Sequence, residues 1–151
     1  MLAFRQQHGP PQLPSGFMLE SQQTPNPADL NKLLSRCREA THTPKQWVLA
    51  FKRSVWHLSI FEQATGNLAG FVRATSDHGL NANLWDLVAQ PGELQEQLLA
   101  VLVDQAIDTL CRTLPGCSIS VLAPAITLKT LKAQGFIIDP DGIRAMTYRL
   151  R

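Results

Sequence analysis

The residues with most to say about chemistry lie between Arg73 and Leu99 of this 151-residue chain. Asp77 and His78 stand side by side. A carboxylate next to an imidazole, whose ordinary pKa is about 6.5, can act as a general base toward an amine. The competing reading is a turn in which Asp77 bonds local backbone and His78 faces water. Asp86 follows Trp85 inside an apolar stretch, and a carboxylate buried alone there costs several kcal/mol. Arg73, on what reads as the neighbouring strand, is its natural partner in a structural ion pair. Released from that pair, Asp86 would be a base or a substrate-orienting carboxylate. No Ser–His–Asp or Cys–His pattern nominates a nucleophile, and His42 and His57 lack the spacing of metal ligands.

Composition narrows the classes. Cys37, Cys111 and Cys117 form no CxxC pair, so neither a zinc site nor a disulfide framework is expected, and the thiols read as free in a reducing compartment. With 14 basic and 12 acidic residues the net charge is +2, which provides no electrostatic footprint for nucleic acid or an anionic membrane. No apolar run approaches the roughly 20 residues of a membrane span. Residues 1–16 lack the apolar core of a secretory signal. The expectation is a soluble, cytoplasmic protein without a metal.

These residues are positioned by elements whose periods are readable. Pro10, Pro11 and Pro14 deny regular structure to residues 1–16, which read as a flexible arm ahead of one domain over 17–151. A short strand follows at 16–19. Asn26-Pro27 and Thr43-Pro44 start two helices, one carrying Leu30, Leu33, Leu34 and Cys37 and the other Trp47, Val48 and Phe51. Trp56, Leu58 and Ile60 alternate with polar or outward residues, a turn at 64–67 follows, and residues 68–75 return as a hairpin. A third strand reads at 83–89. Residues 91–114 carry a helical stripe of Leu94, Leu98, Leu102, Ala106 and Leu110. Residues 117–122 are β-prone, Pro124 and Gly135 bracket a last helix, and strands are expected at 136–138 and 143–150 around a turn at 139–142. A meander followed by alternating strands and helices is mixed α/β with a parallel pair across the long helix.

That order resembles the GNAT superfamily of acyl-CoA-dependent N-acetyltransferases. The run from Phe71 to His78 (FVRATSDH), with Asn81-Ala82 and Trp85-Asp86, resembles its plastid and cyanobacterial branch, whose plant members acetylate lysines and protein N-termini. Gly135-Phe136, Asp139-Pro140-Asp141-Gly142-Ile143 and Met146 match the end of that branch. The likeness covers residues 54–151 well and the first 50 by element order. It implies an α/β GNAT fold, with a mixed central sheet, a parallel splay and roughly four helices, and acetyl-CoA as cofactor with a protein amine as acceptor. It also implies that Leu87, Val88 and Ala89 pair with the pantetheine amides, an amide near Val88 polarises the thioester, and the next helix N-terminus receives the pyrophosphate.

The sequence departs from the superfamily at that helix. The usual turn is Gln/Arg-x-x-Gly-x-Gly/Ala, whereas Leu94, Gln95, Glu96, Gln97, Leu98 and Leu99 contain no glycine, and Gly92 comes too early. Glu93 and Glu96 place negative charge where a dianion would dock. Pro91 suits a first helical position, so the helix is expected to start there and spend the loop's N–H groups internally. Leu131 stands where family members commonly carry a general-acid tyrosine, and the only tyrosine is Tyr148. Together these imply weakened or lost acetyl-CoA binding. Three outcomes stay open: a weak acetyltransferase, an inactive binding or regulatory module for a protein partner, and a protein taking an acyl carrier or ligand without pyrophosphate. A partner surface, homodimeric or otherwise, would use Leu98-Leu99 and the arm.

Overall fold

The computed structural model describes residues 9–144 and 146. Strand β1 (Phe17–Glu20) precedes helices α1 (Pro27–Arg36) and α2 (Pro44–Arg53). Then come β2 (Trp56–Glu62), β3 (Leu68–Ser76), β4 (Asn81–Ala89), α3 (Gln95–Thr113), β5 (Ser118–Val121) and α4 (Leu128–Ala133). Both early helices start as their proline and cap residues dictate. The Asn26 side chain accepts from the Ala28 N–H, and Thr43 and Gln46 form a reciprocal capping box.

The strands form one sheet in the order β1-β2-β3-β4-β5. Pairing is antiparallel through β4 and parallel between β4 and β5. Alternation along the strands feeds two cores. Leu58, Ile60, Val72, Leu84 and Leu87 meet α3 through Leu98, Leu102 and Leu110. On the other face Phe71, Leu68 and Val88 meet Leu30, Leu33, Leu34 and Trp47. The expected α/β class is therefore observed: a five-stranded mixed sheet with one parallel pair and four α-helices among the described residues. At Gly70 α3 comes near to β3: a Cβ there would sit 3.1 Å from Leu102 Cδ1.

Of the N-terminal arm expected over residues 1–16, the described part touches the domain: Leu13 packs against the α3-side core and the Gln12 carbonyl accepts from Gln97 Nε2 at 2.9 Å. Two expectations change. The long helix starts at Gln95, not Pro91, since Gly92 turns the chain at φ +140°, which no helix accommodates. Residues 136–138 carry no strand, and neither do 143–144. Helix α4 closes in a Schellman turn, with Gly135 at φ +96° and the Phe136 N–H on the Leu131 carbonyl, and left-handed Asp139 and Asp141 then bend the chain. The rest of the expected last strand, with Tyr148, lies outside the described residues.

Candidate active site at the splay of β4 and β5

The parallel ladder covers only Asn81↔Ser118 to Leu84↔Val121. Strand β5 ends there, while β4 continues to Ala89. At the parting point Asp86 adopts φ +55°, and the β3–β4 register shifts between Phe71 and Arg73. This is a bulge, which bends a strand away from its neighbour. Aspartate tolerates the left-handed region better than most residues, yet still at a cost of about 1 kcal/mol.

The bulge is held from β3. Arg73 Nε donates to Asp86 Oδ2 at 2.6 Å, with side-chain exposures of 16% and 19%. Arg73 also reaches Ser54 Oγ at 3.5 Å and covers the Trp85 ring at 5.9 Å. Trp85 Nε1 donates to Thr75 Oγ1 at 2.7 Å. The ion pair expected for Asp86 is thus present, and it commits this carboxylate to holding the strand. Ahead of the bulge, on the β5 and α4 side, lies a groove of about 510 Å³ lined by Leu84, Trp85, Val121, Leu131 and Phe136 among others; Leu87, Ala89 and the first turn of α3 do not line it. Leu131 is 2% exposed and presents no hydroxyl to it.

At the end of β4 the side chains of Leu87, Val88 and Ala89 are all buried, so only backbone is offered to a ligand. The Gln90 N–H bonds the Ala69 carbonyl, and Val88 pairs with Phe71. By the alternation of an antiparallel ladder, Val88 faces β3 while Leu87 and Ala89 face the splay. The backbone groups near Val88 that are not spent on β3 are thus those of its two neighbours. The Ala89 carbonyl already has company: it accepts from Gln95 Nε2 at 2.9 Å and from the Cys37 thiol at 3.2 Å. Burial pushes the Cys37 thiol above its ordinary pKa.

Helix α3 opens at Leu94 without a side-chain cap. The Gln95 N–H reaches the Gly92 carbonyl and the Leu98 N–H reaches the Leu94 carbonyl, leaving the N–H groups of Glu96 and Gln97 without an acceptor among the described residues. The expectation that this turn spends all its N–H groups internally is corrected. Its three leading side chains each reach a different element. Gln95 holds β4, Glu96 pairs with Lys129 of α4 at 2.7 Å, and Gln97 holds Gln12. Leu98 and Leu99 are 0% and 1% exposed, so they fill the core and present no partner surface.

His78 and Asp77 lie in the loop before β4, a strand length of about 3.3 Å per residue away from the splay. The Asp77 carboxylate accepts from the N–H groups of Gly79, Leu80 and Asn81 at 2.9, 2.8 and 3.1 Å, which hold its pKa below the ordinary value. His78 is exposed, at φ +63°, with its N–H on Ser76 Oγ. The structure therefore places His78 in the loop ahead of β4 and Asp86 within the strand, and does not bring the two together. Sequence reasoning missed the contacts of Cys37, 52 residues from Ala89, and of Lys129. Neither carries a local signal.

A sheet that meanders, crosses over through one long helix and then parts at a bulged strand defines the acyl-CoA N-acetyltransferase class of fold. No family model matches the chain. A protein of Pyropia yezoensis described as uncharacterized N-acetyltransferase ycf52 is 33% identical over 130 residues, covering 85% of this chain and 74% of that one. GCN5-related N-acetyltransferase 2, chloroplastic, of Arabidopsis thaliana is 34% identical over 85 residues, 56% of this chain and 33% of its own. A solved probable acetyltransferase from meticillin-resistant Staphylococcus aureus superposes with a TM-score of 0.75 at 13% identity, over 88% of this chain and all of that one. This chain belongs to the GNAT family of N-acetyltransferases, with relatives of the plastid type. Among the described residues no helix is long and apolar enough to cross a membrane.

Proposed function

We propose that the protein transfers an acetyl group from acetyl-CoA to a protein amine, a lysine side chain or an N-terminus, and holds the donor weakly. The observation that carries this reading is the end of β4, where a backbone edge turned to the splay leads into an α3 terminus with two open N–H groups. These residues fit a pantetheine arm: Leu87 and Ala89 would hold it by backbone where β4 has run past the end of β5. The N–H groups of Glu96 and Gln97 would meet its phosphates. Bound acetyl-CoA would supply the activated thioester.

The chain's own residues set what surrounds that chemistry. Arg73 fixes Asp86 and so the bulge that holds the splay open. The amides of Leu87 and Ala89 are the donors that would polarise a carbonyl held at the end of β4. Leu131 leaves the groove without a general acid at the position where the family commonly has one. Weak donor binding is supported by Gln95 on the Ala89 carbonyl and by Glu93 just ahead of the helix start. We place the protein in the cytoplasm or its plastid equivalent, the latter because a relative is named chloroplastic.

A second reading has its own observation. The first turn of α3 is tied to β4, α4 and the N-terminal segment at once, which favours a closed domain serving as a regulatory or binding module, alone or as a homodimer. Calorimetric titration with acetyl-CoA, followed by a transfer assay on lysine and N-terminal peptides, decides between them. Binding in the high micromolar to millimolar range with slow transfer supports the first reading. Low-micromolar affinity sinks the weak-binding part, and absence of both binding and transfer leaves the module.

A further inference from the structure

The first turn of α3 carries a glutamine whose side chain mimics half of a ligand. Gln95 Nε2 is an amide N–H donor, and it sits 2.9 Å from the Ala89 carbonyl. That carbonyl is the last hydrogen-bonding group of β4 turned toward the splay. A pantetheine arm carries two secondary amides, which are the same donor chemistry, and would seek the same acceptor. An oxygen has two lone pairs, but here the Cys37 thiol takes the second place at 3.2 Å. The carbonyl is thus saturated by the chain itself.

We propose that Gln95 is an intramolecular occupant of the pantetheine slot and the residue that sets donor affinity. The inference rests on the cofactor reading given above and adds to it a competitor of known identity. The competition is between two amides of equal charge, so it is insensitive to salt. It acts on the pantetheine portion alone, in contrast to Glu93, whose charge would act on phosphate. Among the described residues the Gln95 side chain bonds only the Ala89 carbonyl of β4, so it can swing out without unfolding α3. Its own backbone N–H stays on the Gly92 carbonyl.

The test uses the full chain, wild type and Gln95→Ala, with CoA and with pantetheine as separate probes, each titrated by calorimetry or by NMR shifts. Removing one competing hydrogen bond is expected to tighten binding about 2- to 10-fold for both probes alike. Adding pantetheine to the wild type should also move the Gln95 side-chain NH₂ resonances to solvent-exposed values, a readout that needs no variant. Equal affinity of the two proteins for both probes, with unmoved NH₂ resonances, overturns the inference and leaves the cofactor reading standing. A gain seen with CoA and absent with pantetheine also overturns it, since that assigns the effect to phosphate. If neither protein binds either probe, the cofactor reading and the inference fall together.

Discussion

Arg73 and Asp86 meet across β3 and β4 at 2.6 Å, and the aspartate does so from a left-handed backbone at φ +55°. A charge pair thereby holds a strained residue at the point where the sheet parts. Replacing Asp86 by Ala leaves the strain and strands a largely buried guanidinium, so we expect a loss of about 2 kcal/mol in urea unfolding. Asp86→Gly loses the same pair but accepts positive φ freely, so it should recover about 1 kcal/mol of that. If the alanine variant proves the more stable, the bulge is not strained by its side chain.

Asn31 joins α1 to α2. Its Oδ1 accepts from Trp47 Nε1 at 2.9 Å and from the His42 N–H at 3.1 Å, while its Nδ2 donates to the His42 carbonyl at 2.7 Å. Trp47 is 1% exposed. Asn31→Leu orphans the indole and the loop together and should cost about 2–3 kcal/mol. Thermal unfolding measures this, and a change within experimental error would show that the loop repacks.

Gly70 faces Leu102 and Ile60. A methyl group there lands 3.1 Å from Leu102 Cδ1 and 3.5 Å from Ile60 Cβ, so the leucine must shift to admit it. Gly70→Ala is expected to cost about 1–3 kcal/mol through overpacking. Pairing it with Leu102→Val should return part of the loss, which a double-mutant cycle reads directly.

His57 lies against Phe51 and Phe71 at ring distances of 5.8 and 6.4 Å. Burial pushes its pKa below the ordinary 6.5, with Glu20 opposing weakly. A group that binds its proton less tightly when folded makes stability rise with pH between the folded and unfolded values. Stability should therefore fall as pH drops below about 6.5 and level off beneath the folded pKa. His57→Phe should flatten that slope. Asp77 contributes in a separate, more acidic window: its folded pKa is lowered, so its stabilisation is lost as pH falls through the carboxylate range.

The elements were legible where short-range chemistry decides them. Pro27 and Pro44 mark helix starts because proline suits a first turn, and Leu58, Ile60 and their neighbours alternate because one face must be buried. The start of α3 was misplaced because Pro91 signals a helix locally while Gly92, one residue on, supplies a turn. The strand expected at 136–138 reads as apolar in sequence, but the Schellman closure at Gly135 and the left-handed Asp139 bend the chain away. At the site, the Arg73–Asp86 pair was legible because two opposite charges on adjacent strands have few alternatives. The fold of Asp86's own backbone was not, since NLWDLVA reads as an uninterrupted strand. The Gln95–Ala89 contact was illegible for another reason: glutamine at a helix start has no preferred partner until the β4–α3 turn has been laid down.

The four-residue ladder between β4 and β5 has a consequence for how the molecule comes together and comes apart. Strands β2, β3 and β4 are sequential neighbours joined by short turns, so they zip with little loop closure. Strand β5 must wait for all of α3 to cross over, and it then gains only a brief parallel pairing. It should dock late, and in the native state it should release early, as a unit with α4, with faster amide hydrogen exchange than the meander. The outer wall of the groove is then the most readily detached part of the sheet, and the width of the slot is set by an opening equilibrium of β5 as well as by the fixed geometry of β4.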